Sequence, residues 1–211
     1  MSRGIPANGR EAYFTQGYLN EGRFVDYHYA YRLAMDDRPS RVLEIGPGNG
    51  LLSWLLRKSG CNVTTLDIDP SVCPDVLGSV EAVPFRDSAF DAVVCVEVLE
   101  HLPLDSFAAA MKEIRRVTRR RCVLSLPHVG RYWMFLGQLP LVGNVCGSIH
   151  LPQLHPPDFT DHPEHYWSIG TRGASDRKID RSLMAAGFII RRSFRPLANK
   201  CHKFFLLEVA R

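Results

Sequence analysis

Residues 41–50 have the sequence RVLEIGPGNG, and Asp67 follows seventeen residues after the last glycine of this stretch. The apolar residues at 42–45 predict a short buried strand, and the glycines predict a tight turn that leads into a helix near Asn49. Three glycines at alternate positions leave one face of the turn without Cβ atoms, so a bulky ligand can lie against the backbone. Asp67, at the end of the next predicted strand, is placed to accept hydrogen bonds from two ribose hydroxyls. These features predict a site for a nucleoside cofactor.

The spacing of the glycines distinguishes this turn from two other nucleotide-binding turns. Dinucleotide sites have the pattern G-x-G-x-x-G, and phosphate-binding P-loops have a lysine after the last glycine. Here the pattern is Glu44-x-Gly46-x-Gly48-x-Gly50, with an acid before the first glycine and no lysine after the last. An acid beside the turn suits a cofactor that carries an ammonium and a sulfonium group instead of phosphates.

Three further motifs follow along the chain: VTTLDIDP at residues 63–70, VPF at 83–85 and FDAVVCVEVLEHL at 90–102. With them, residues 41–126 resemble the class I S-adenosylmethionine-dependent methyltransferases, particularly the small single-domain kind. The resemblance implies an α/β fold with a Rossmann-like, seven-stranded, mostly parallel sheet, an antiparallel edge strand, helices on both faces and a lid insertion after the fifth strand. It also implies S-adenosyl-L-methionine as the cofactor and S-adenosyl-L-homocysteine as the product.

The alternation of apolar strands with helical patterns along the chain predicts the same α/β class. Asp105 is predicted to cap the helix that follows it. We expect a single domain, residues 1–211, with N-terminal cap helices in 1–40 and an irregular lid or substrate segment in 127–175. The predicted strands are 41–45, 62–67, 77–80, 91–96, 121–126, 188–194 and 203–209, and the predicted helices follow Gly50 and span 106–117 and 176–186.

The resemblance also assigns roles at the glycine turn. Glu44 and the backbone of the three glycines would line the methionine and ribose parts of the cofactor (Gly46, Gly48 and Gly50). Asp67 would bind the ribose hydroxyls, as the spacing already predicts.

At the adenine end, Ile68 would pack on the base. The family usually has an acid before the motif at 83–85 that binds the adenine amino group, and this sequence has Ser79 at the aligned position. The contact is therefore expected from Ser79 or from the backbone of Val80. Glu97, at the end of the fourth strand, is expected to face the crevice where cofactor and acceptor meet; a solvated strand-end acid is the alternative.

Two histidines are the candidate catalytic residues. Methyl transfer needs the nucleophile, methyl carbon and sulfur in line, so positioning alone can supply most of the catalysis. A general base is needed only if the nucleophile is a hydroxyl or a protonated amine. His128 follows the fifth predicted strand, and His101 follows the fourth within a motif that the family often has without a catalytic role. His128 is therefore the preferred base.

Residues 150–165 contain four histidines, but their spacing matches no zinc-binding pattern, so we expect no metal. The prolines there indicate an extended lid. Residues 132–142 are largely apolar but too short and interrupted to span a bilayer. They predict a hydrophobic acceptor pocket, an interfacial patch or core packing.

Composition agrees with a globular protein, with a net charge of +4 and no C-x-x-C pair among its six cysteines. No signal peptide is visible. We expect a cytoplasmic protein with no membrane span and no stable nucleic-acid complex, as a monomer or homodimer.

The sequence thus predicts an S-adenosylmethionine-dependent methyltransferase that acts on a small molecule, an apolar or aromatic one among the options. Oxygen is the preferred target, with nitrogen and carbon as alternatives. An RNA methyltransferase acting on tRNA or rRNA is the second reading, weakened by the lack of an N-P-P-Y-like motif after the fourth strand and of an appended RNA-binding domain. A non-catalytic, cofactor-binding partner of a second methyltransferase is the third.

Overall fold

The computed structural model describes residues 9–130, 132–139, 143–150, 157 and 164–210. Short 3-10 turns at Gly9–Phe14, Pro70–Val72, Leu99–His101 and Leu104–Ser106 connect the longer elements. The strands are β1 (Arg41–Ile45), β2 (Asn62–Asp67), β3 (Val76–Leu77), β4 (Phe90–Val96), β5 (Thr118–Pro127), β6 (Tyr132–Leu139), β7 (Gly143–His150), β8 (Phe188–Phe194) and β9 (His202–Val209), and the helices are α1 (Glu21–Met35), α2 (Leu51–Lys58), α3 (Phe107–Val117) and α4 (Asp176–Ala185).

Seven of these strands form one sheet in the order β3-β2-β1-β4-β5-β9-β8. Strands β1 to β5 run parallel to one another, whereas β9 is antiparallel to both of its neighbours. The predicted Rossmann-like, mostly parallel seven-stranded sheet is confirmed. The predicted antiparallel edge is also confirmed: β9 is antiparallel to β5, and the edge strand β8 is antiparallel to β9.

Helices cover both faces of the sheet, as predicted. Adjacent residues of β1 point to opposite faces. Val42 packs with Leu52 of α2 and Ala30 of α1, whereas Leu43 packs in the other core with Met111 of α3 and Ile179 of α4. Because each β1 face meets a separate apolar cluster, the strand is buried on both sides, as parallel strands usually are.

Local side chains determine where the helices begin. At α2, the Asn49 side chain accepts a hydrogen bond from the Leu51 amide at 3.0 Å. The prediction that Asp105 caps α3 is wrong: Leu104–Ser106 forms a 3-10 turn, and α3 begins at Phe107 without a side-chain capping bond. The 3-10 turn already uses the backbone groups that a cap would satisfy. The third strand is also shorter than predicted: it covers only Val76–Leu77, and the Gly78 amide still donates to the Asp67 carbonyl of β2 at 2.8 Å.

The segment predicted to be irregular, 127–175, contains a β-hairpin. Strands β6 and β7 pair from Tyr132 opposite His150 to Leu139 opposite Gly143. These two strands are stabilised by pairing with each other. The sequence of either strand alone does not reveal this pairing, because glycines interrupt its pattern of apolar residues. Trp133 is 69% exposed and Phe135 is 49% exposed, so core packing is the wrong alternative for these side chains.

The end of this insertion returns to the main sheet. The Ile169 amide donates to the Pro127 carbonyl, and the Val129 amide donates to the Ile169 carbonyl, both at 2.8 Å. The predicted lid prolines and histidines at 152–156 and 158–163, and the N-terminal residues 1–8, lie outside the described residues. In the described part of the chain, no helix has the length and apolarity needed to cross a membrane.

Candidate functional site: the crevice at the carboxyl edge of the sheet

The glycine turn after β1 has the backbone that the spacing predicted. Gly46 has φ +74° and Gly48 has φ +51°, a region that side-chain-bearing residues rarely adopt. A Cβ on Gly46 would lie 2.3 Å from Cγ2 of Val98, which no packing allows. The turn therefore requires glycine for both its conformation and its close contact with the residue after β4.

Two tyrosines of the N-terminal segment lie over the bare backbone of this turn. A Cβ on Gly48 would lie 3.3 Å from the Tyr13 ring and 3.3 Å from the Tyr18 hydroxyl. The two rings meet edge to face, with centroids 5.1 Å apart. Tyr27 of α1 holds the turn from the other side by donating to the Asn49 side chain at 3.1 Å. The N-terminal segment thus covers the place where a ligand would contact the glycines.

Asp67 ends β2 beside this turn. One of its carboxylate oxygens, Oδ1, accepts a hydrogen bond from the Asp69 amide at 2.9 Å. Burial raises the pKa of Asp67, and the nearby charge of Asp69 adds to the increase. Burial likewise raises the pKa of the Tyr13 hydroxyl, with Tyr18 and Asp67 contributing. Tyr13 therefore remains a protonated donor close to the carboxylate predicted to bind the ribose.

Glu44 lies under the turn, almost completely buried. Burial raises its pKa to about 8, and this increase is opposed by the Ser53 hydroxyl and the Arg57 charge. Its Oε2 atom has no hydrogen-bond partner among the described residues. A buried polar atom without a partner is uncommon and marks a position where a ligand or water completes the site.

The residues predicted to contact adenine lie on the neighbouring surface. The Ile68 side chain is 63% exposed, so a flat base has access to it. Val80 is buried, and the Ser79 hydroxyl accepts a hydrogen bond from the Glu81 amide at 3.1 Å. The Ser79 oxygen thus stabilises its own turn. Its hydroxyl proton remains able to donate a hydrogen bond to the adenine.

At the end of β4, Glu97 belongs to a buried chain of charged groups. Its Oε2 lies 2.8 Å from Nε2 of His202, and its Oε1 accepts from the Ser125 hydroxyl at 2.6 Å. The other ring nitrogen of His202, Nδ1, lies 2.7 Å from Oδ2 of Asp26. Asn199 donates to the same Asp26 carboxylate at 3.0 Å. The alternative of a solvated strand-end acid is therefore wrong for Glu97.

The charged groups around Glu97 shift one another's pKa values. Burial alone would lower the pKa of His202, but the two flanking carboxylates, Glu97 and Asp26, raise it to about 11. Burial would raise the pKa of Glu97, and the charges of His202 and Arg23 hold it well below its usual range instead. Burial also raises the pKa of Asp26. At neutral pH, His202 is an imidazolium between carboxylates and cannot accept a proton.

Sequence reasoning missed His202, Asp26 and Arg23. His202 is the first residue of β9, and the reversed direction of that strand places it opposite Pro127 at the carboxyl edge of β5. The one sequence signal for His202 was its position directly before the last predicted strand, 203–209. Asp26 and Arg23 lie on α1, and no motif connects that helix with the strand ends.

The two histidines predicted as bases lie in other groups of contacts. Nε2 of His128 lies 3.2 Å from Oδ2 of Asp176, whose Oδ1 is 2.7 Å from the Lys203 ammonium. His128 Nδ1 is buried and has no hydrogen-bond partner among the described residues. His101 Nδ1 lies 3.2 Å from the Glu164 carbonyl, and its ring meets that of His165 edge to face at 5.0 Å.

A cleft of about 560 Å³ lies on the outer side of the glycine turn, between α2 and the N-terminal segment. Asp67 and Glu97 do not line this cleft. The other side of the turn is the one that Tyr13 and Tyr18 cover. Its lining residues include Phe14, Leu19, Phe24, Pro47, Trp54 and Val72.

Comparison with known proteins shows which proteins this chain resembles. Residues 43–126 match the family model described as "Methyltransferase domain". Solved structures with the same fold include the 1,6-didemethyltoxoflavin-N1-methyltransferase of Burkholderia thailandensis (TM-score 0.62, 18% identity, covering 96% of this chain and 87% of that one). Another is the magnesium protoporphyrin IX methyltransferase of Synechocystis PCC 6803 (TM-score 0.61, 15% identity, covering 95% and 98%).

The matched residues, 43–126, make up less than half of the chain, and it is this part that resembles a methyltransferase domain. Among curated relatives, the ubiquinone biosynthesis O-methyltransferase of Xylella fastidiosa strain 9a5c is 37% identical over 30% of this chain and 32% of the relative. That of Xanthomonas campestris strain B100 is 37% identical over 30% and 33%. The chain thus spans about a third of the length of the curated relatives it matches.

The matched region contains only part of the crevice. It includes every residue predicted to bind the cofactor, from Glu44 to Glu97. Asp26 and His202 lie outside it, on α1 and β9, and so do His128 and Asp176. The half of the crevice next to Glu97 is therefore built mainly by parts of the chain that the family model does not cover.

Proposed function

We propose that this chain is an S-adenosylmethionine-dependent methyltransferase that methylates an oxygen atom of a small molecule. The observation that carries the proposal is the position of the bare glycine turn and Asp67 at the same sheet edge as Glu97 and His128. The names of the curated relatives support the choice of a small-molecule oxygen over nitrogen, carbon or RNA.

The cofactor would bind against the turn after β1. The backbone of Gly46 and Gly48, together with Gly50 at the start of α2, would contact its methionine and ribose parts. The Asp67 carboxylate would accept hydrogen bonds from the ribose hydroxyls, and exposed Ile68 would pack on the adenine. Ser79 or the Val80 backbone would contact the edge of the base. The cofactor supplies a methyl group on a positively charged sulfur.

Tyr13 and Tyr18 would close over this cofactor. Their rings already cover the ligand side of Gly48 and stack edge to face with each other. The Arg23 guanidinium lies 4.5 Å from the centre of the Tyr18 ring and links the pair to the buried charges around Glu97. This arrangement would exclude water from the methyl group and restrict the acceptor to an in-line approach.

His128 is the residue we assign as general base. The carboxylate of Asp176 orients one ring nitrogen, and the other, Nδ1, is buried without a partner among the described residues. This is the arrangement in which an imidazole accepts a proton from a hydroxyl nucleophile while the carboxylate stabilises the resulting imidazolium. The exposed aromatic residues of the β6–β7 hairpin, Trp133 and Phe135, favour an apolar or aromatic acceptor.

Two measurements test this function. Calorimetry with S-adenosylmethionine should show one binding site per chain, and NAD should not bind, because the turn lacks the dinucleotide spacing. Formation of S-adenosylhomocysteine should then be followed with phenols and catechols, with matched anilines and with transcribed tRNA as separate acceptors. Turnover with the phenols or catechols, and with neither the anilines nor tRNA, supports the proposal. Cofactor binding without turnover on any acceptor favours the non-catalytic partner, and turnover on tRNA overturns the small-molecule assignment.

A further inference from the structure

A second group of titratable side chains lies beside the crevice. Glu100 and His101 end the 3-10 turn that follows β4, and His165 comes from the far end of the insertion after β5. One potential ligand atom from each residue lies within 4.8 Å of those of the other two. The group therefore joins two segments that are more than sixty residues apart in the chain.

Three hydrogen bonds hold these segments together. The Tyr166 amide donates to the Glu100 carbonyl at 2.8 Å, and the Trp167 indole donates to the Leu102 carbonyl at 3.0 Å. The third joins His101 Nδ1 to the Glu164 carbonyl at 3.2 Å. Because a carbonyl oxygen only accepts, Nδ1 of His101 is the donor in this contact. Metal-binding histidines are commonly oriented by such a bond.

Glu100 has the environment of a carboxylate that lacks a ligand. Its side chain is completely buried, and neither carboxylate oxygen has a hydrogen-bond partner among the described residues. Burying a carboxyl group without partners is unfavourable, and a bound cation would remove that cost.

The distances suit a small divalent ion. Nε2 of His165 lies 4.0 Å from Oε1 of Glu100. Tetrahedral zinc with nitrogen and oxygen ligands at its usual bond lengths holds neighbouring ligand atoms roughly 3.3 Å apart, so a small rotation of these side chains completes the geometry. Two imidazoles and one carboxylate are a donor set typical of zinc sites that keep one coordination position open.

We propose that Glu100, His101 and His165 bind a divalent transition-metal ion, zinc by preference, with an open position towards the acceptor. The sequence predicted no metal because the histidine spacing within 150–165 fits no pattern. The fold instead brings His165 next to Glu100 and His101, which follow β4.

The role of this ion rests on the proposed function. A hydroxyl of the acceptor bound at the open position would lose its proton to His128 or to water more readily. The resulting oxygen would form a bond to the methyl carbon as the carbon–sulfur bond breaks, and the sulfur would keep that electron pair in the thioether of S-adenosylhomocysteine. His101 would then be a metal ligand, and His128 would remain the single candidate base of the two predicted from sequence.

The first test measures binding without the cofactor. Tag-free protein is stripped with a chelator, dialysed and titrated with zinc by calorimetry, and with cobalt while its visible absorption is recorded. We expect one equivalent of zinc and a tetrahedral cobalt spectrum. Glu100→Gln and His165→Gln should each lower zinc affinity by about 100-fold or more, whereas His28→Gln, at an exposed histidine of α1, should not change it.

Folding of the variants is checked in the same experiment. Glu100→Gln resembles the protonated acid in shape, so the apo protein should keep its thermal stability and lose only the increase that zinc produces. Less than half an equivalent of zinc, or a full equivalent that remains in both variants, would overturn the metal site. Because zinc binding is measured without S-adenosylmethionine, failure of this site and failure of the methyltransferase function give different results.

Discussion

The proposed cofactor half of the crevice comes mostly from one stretch of chain, residues 44–68, with only the adenine contact at Ser79 or Val80 beyond it. The proposed acceptor half is assembled from four distant parts. In the first, one strand, one turn and the next strand provide Glu44, the glycines and Asp67. In the second, Asp26 of α1, Glu97 after β4, His128 after β5 and His202 of β9 meet at the same edge.

The two halves also differ in how they are stabilised. The cofactor half depends on backbone conformation: Gly46 and Gly48 have positive φ angles, a Cβ on Gly46 would clash with Val98, and one on Gly48 would be tight against the two tyrosines. The acceptor half depends on charge compensation, since His202 lies between the carboxylates of Glu97 and Asp26. We therefore expect substitutions in the first half to change cofactor affinity with little effect on folding. Substitutions among the buried charges of the second half should affect folding first.

The largest effect is expected at His202. His202→Ala removes the cation between two buried carboxylates, and breaking a buried ion pair in this way costs about 3–5 kcal/mol. Urea unfolding at neutral pH should show that loss in the free energy of unfolding. His28→Ala, at an exposed histidine, is the matched control and should be nearly neutral. Equal stability of both variants would show that the buried charges do not hold the acceptor half together.

The same contact predicts a pH dependence of stability. Folding raises the pKa of His202 from 6.5 to about 11, so the folded protein binds this proton more tightly than the unfolded chain. The stabilisation is complete below about pH 6.5 and is lost as the pH rises towards about 11. Urea unfolding across this range should show a decrease in wild-type stability that His202→Ala lacks. A decrease of the same size in the variant would assign the effect to other groups.

The next largest effect concerns catalysis in the acceptor half. His128→Ala should lower turnover by about 10²-fold or more, the usual effect of losing a general base. Cofactor affinity, measured by calorimetry, should be unchanged. Added imidazole should restore part of the turnover of His128→Ala, which a purely structural defect would not allow. Full turnover in the variant would mean that transfer proceeds by positioning alone.

The smallest of these effects belongs to the cofactor half. Asp67→Ala removes a charged acceptor, and a hydrogen bond to a charged group contributes about 1.5–3 kcal/mol. Affinity for S-adenosylmethionine should fall about 10-fold or more, with unchanged urea unfolding. Asp105→Ala, at an exposed acid away from the turn, serves as the control. Unchanged affinity in Asp67→Ala would show that Asp67 does not bind the ribose hydroxyls. It would also contradict the expectation that substitutions in the cofactor half change cofactor affinity.

The sequence by itself determined the α/β class, most element boundaries and the glycine turn. These follow from local rules: the period of apolar residues, the conformational freedom of glycine and the parallel strands that bring Gly46, Asp67 and Glu97 to one edge. It misplaced the cap of α3 and missed the β6–β7 hairpin, because a 3-10 turn and cross-strand pairing depend on neighbours that a single segment does not reveal.

Only the tertiary structure decided the partners of the buried charged groups. The reversed direction of β9 puts His202 opposite the end of β5, and the packing of α1 against the sheet brings Asp26 to it. The return of residues 164–169 to the sheet likewise places His165 beside Glu100. Buried charges have no periodic pattern in sequence, since their positions are determined by the requirement for a partner at hydrogen-bond distance in space.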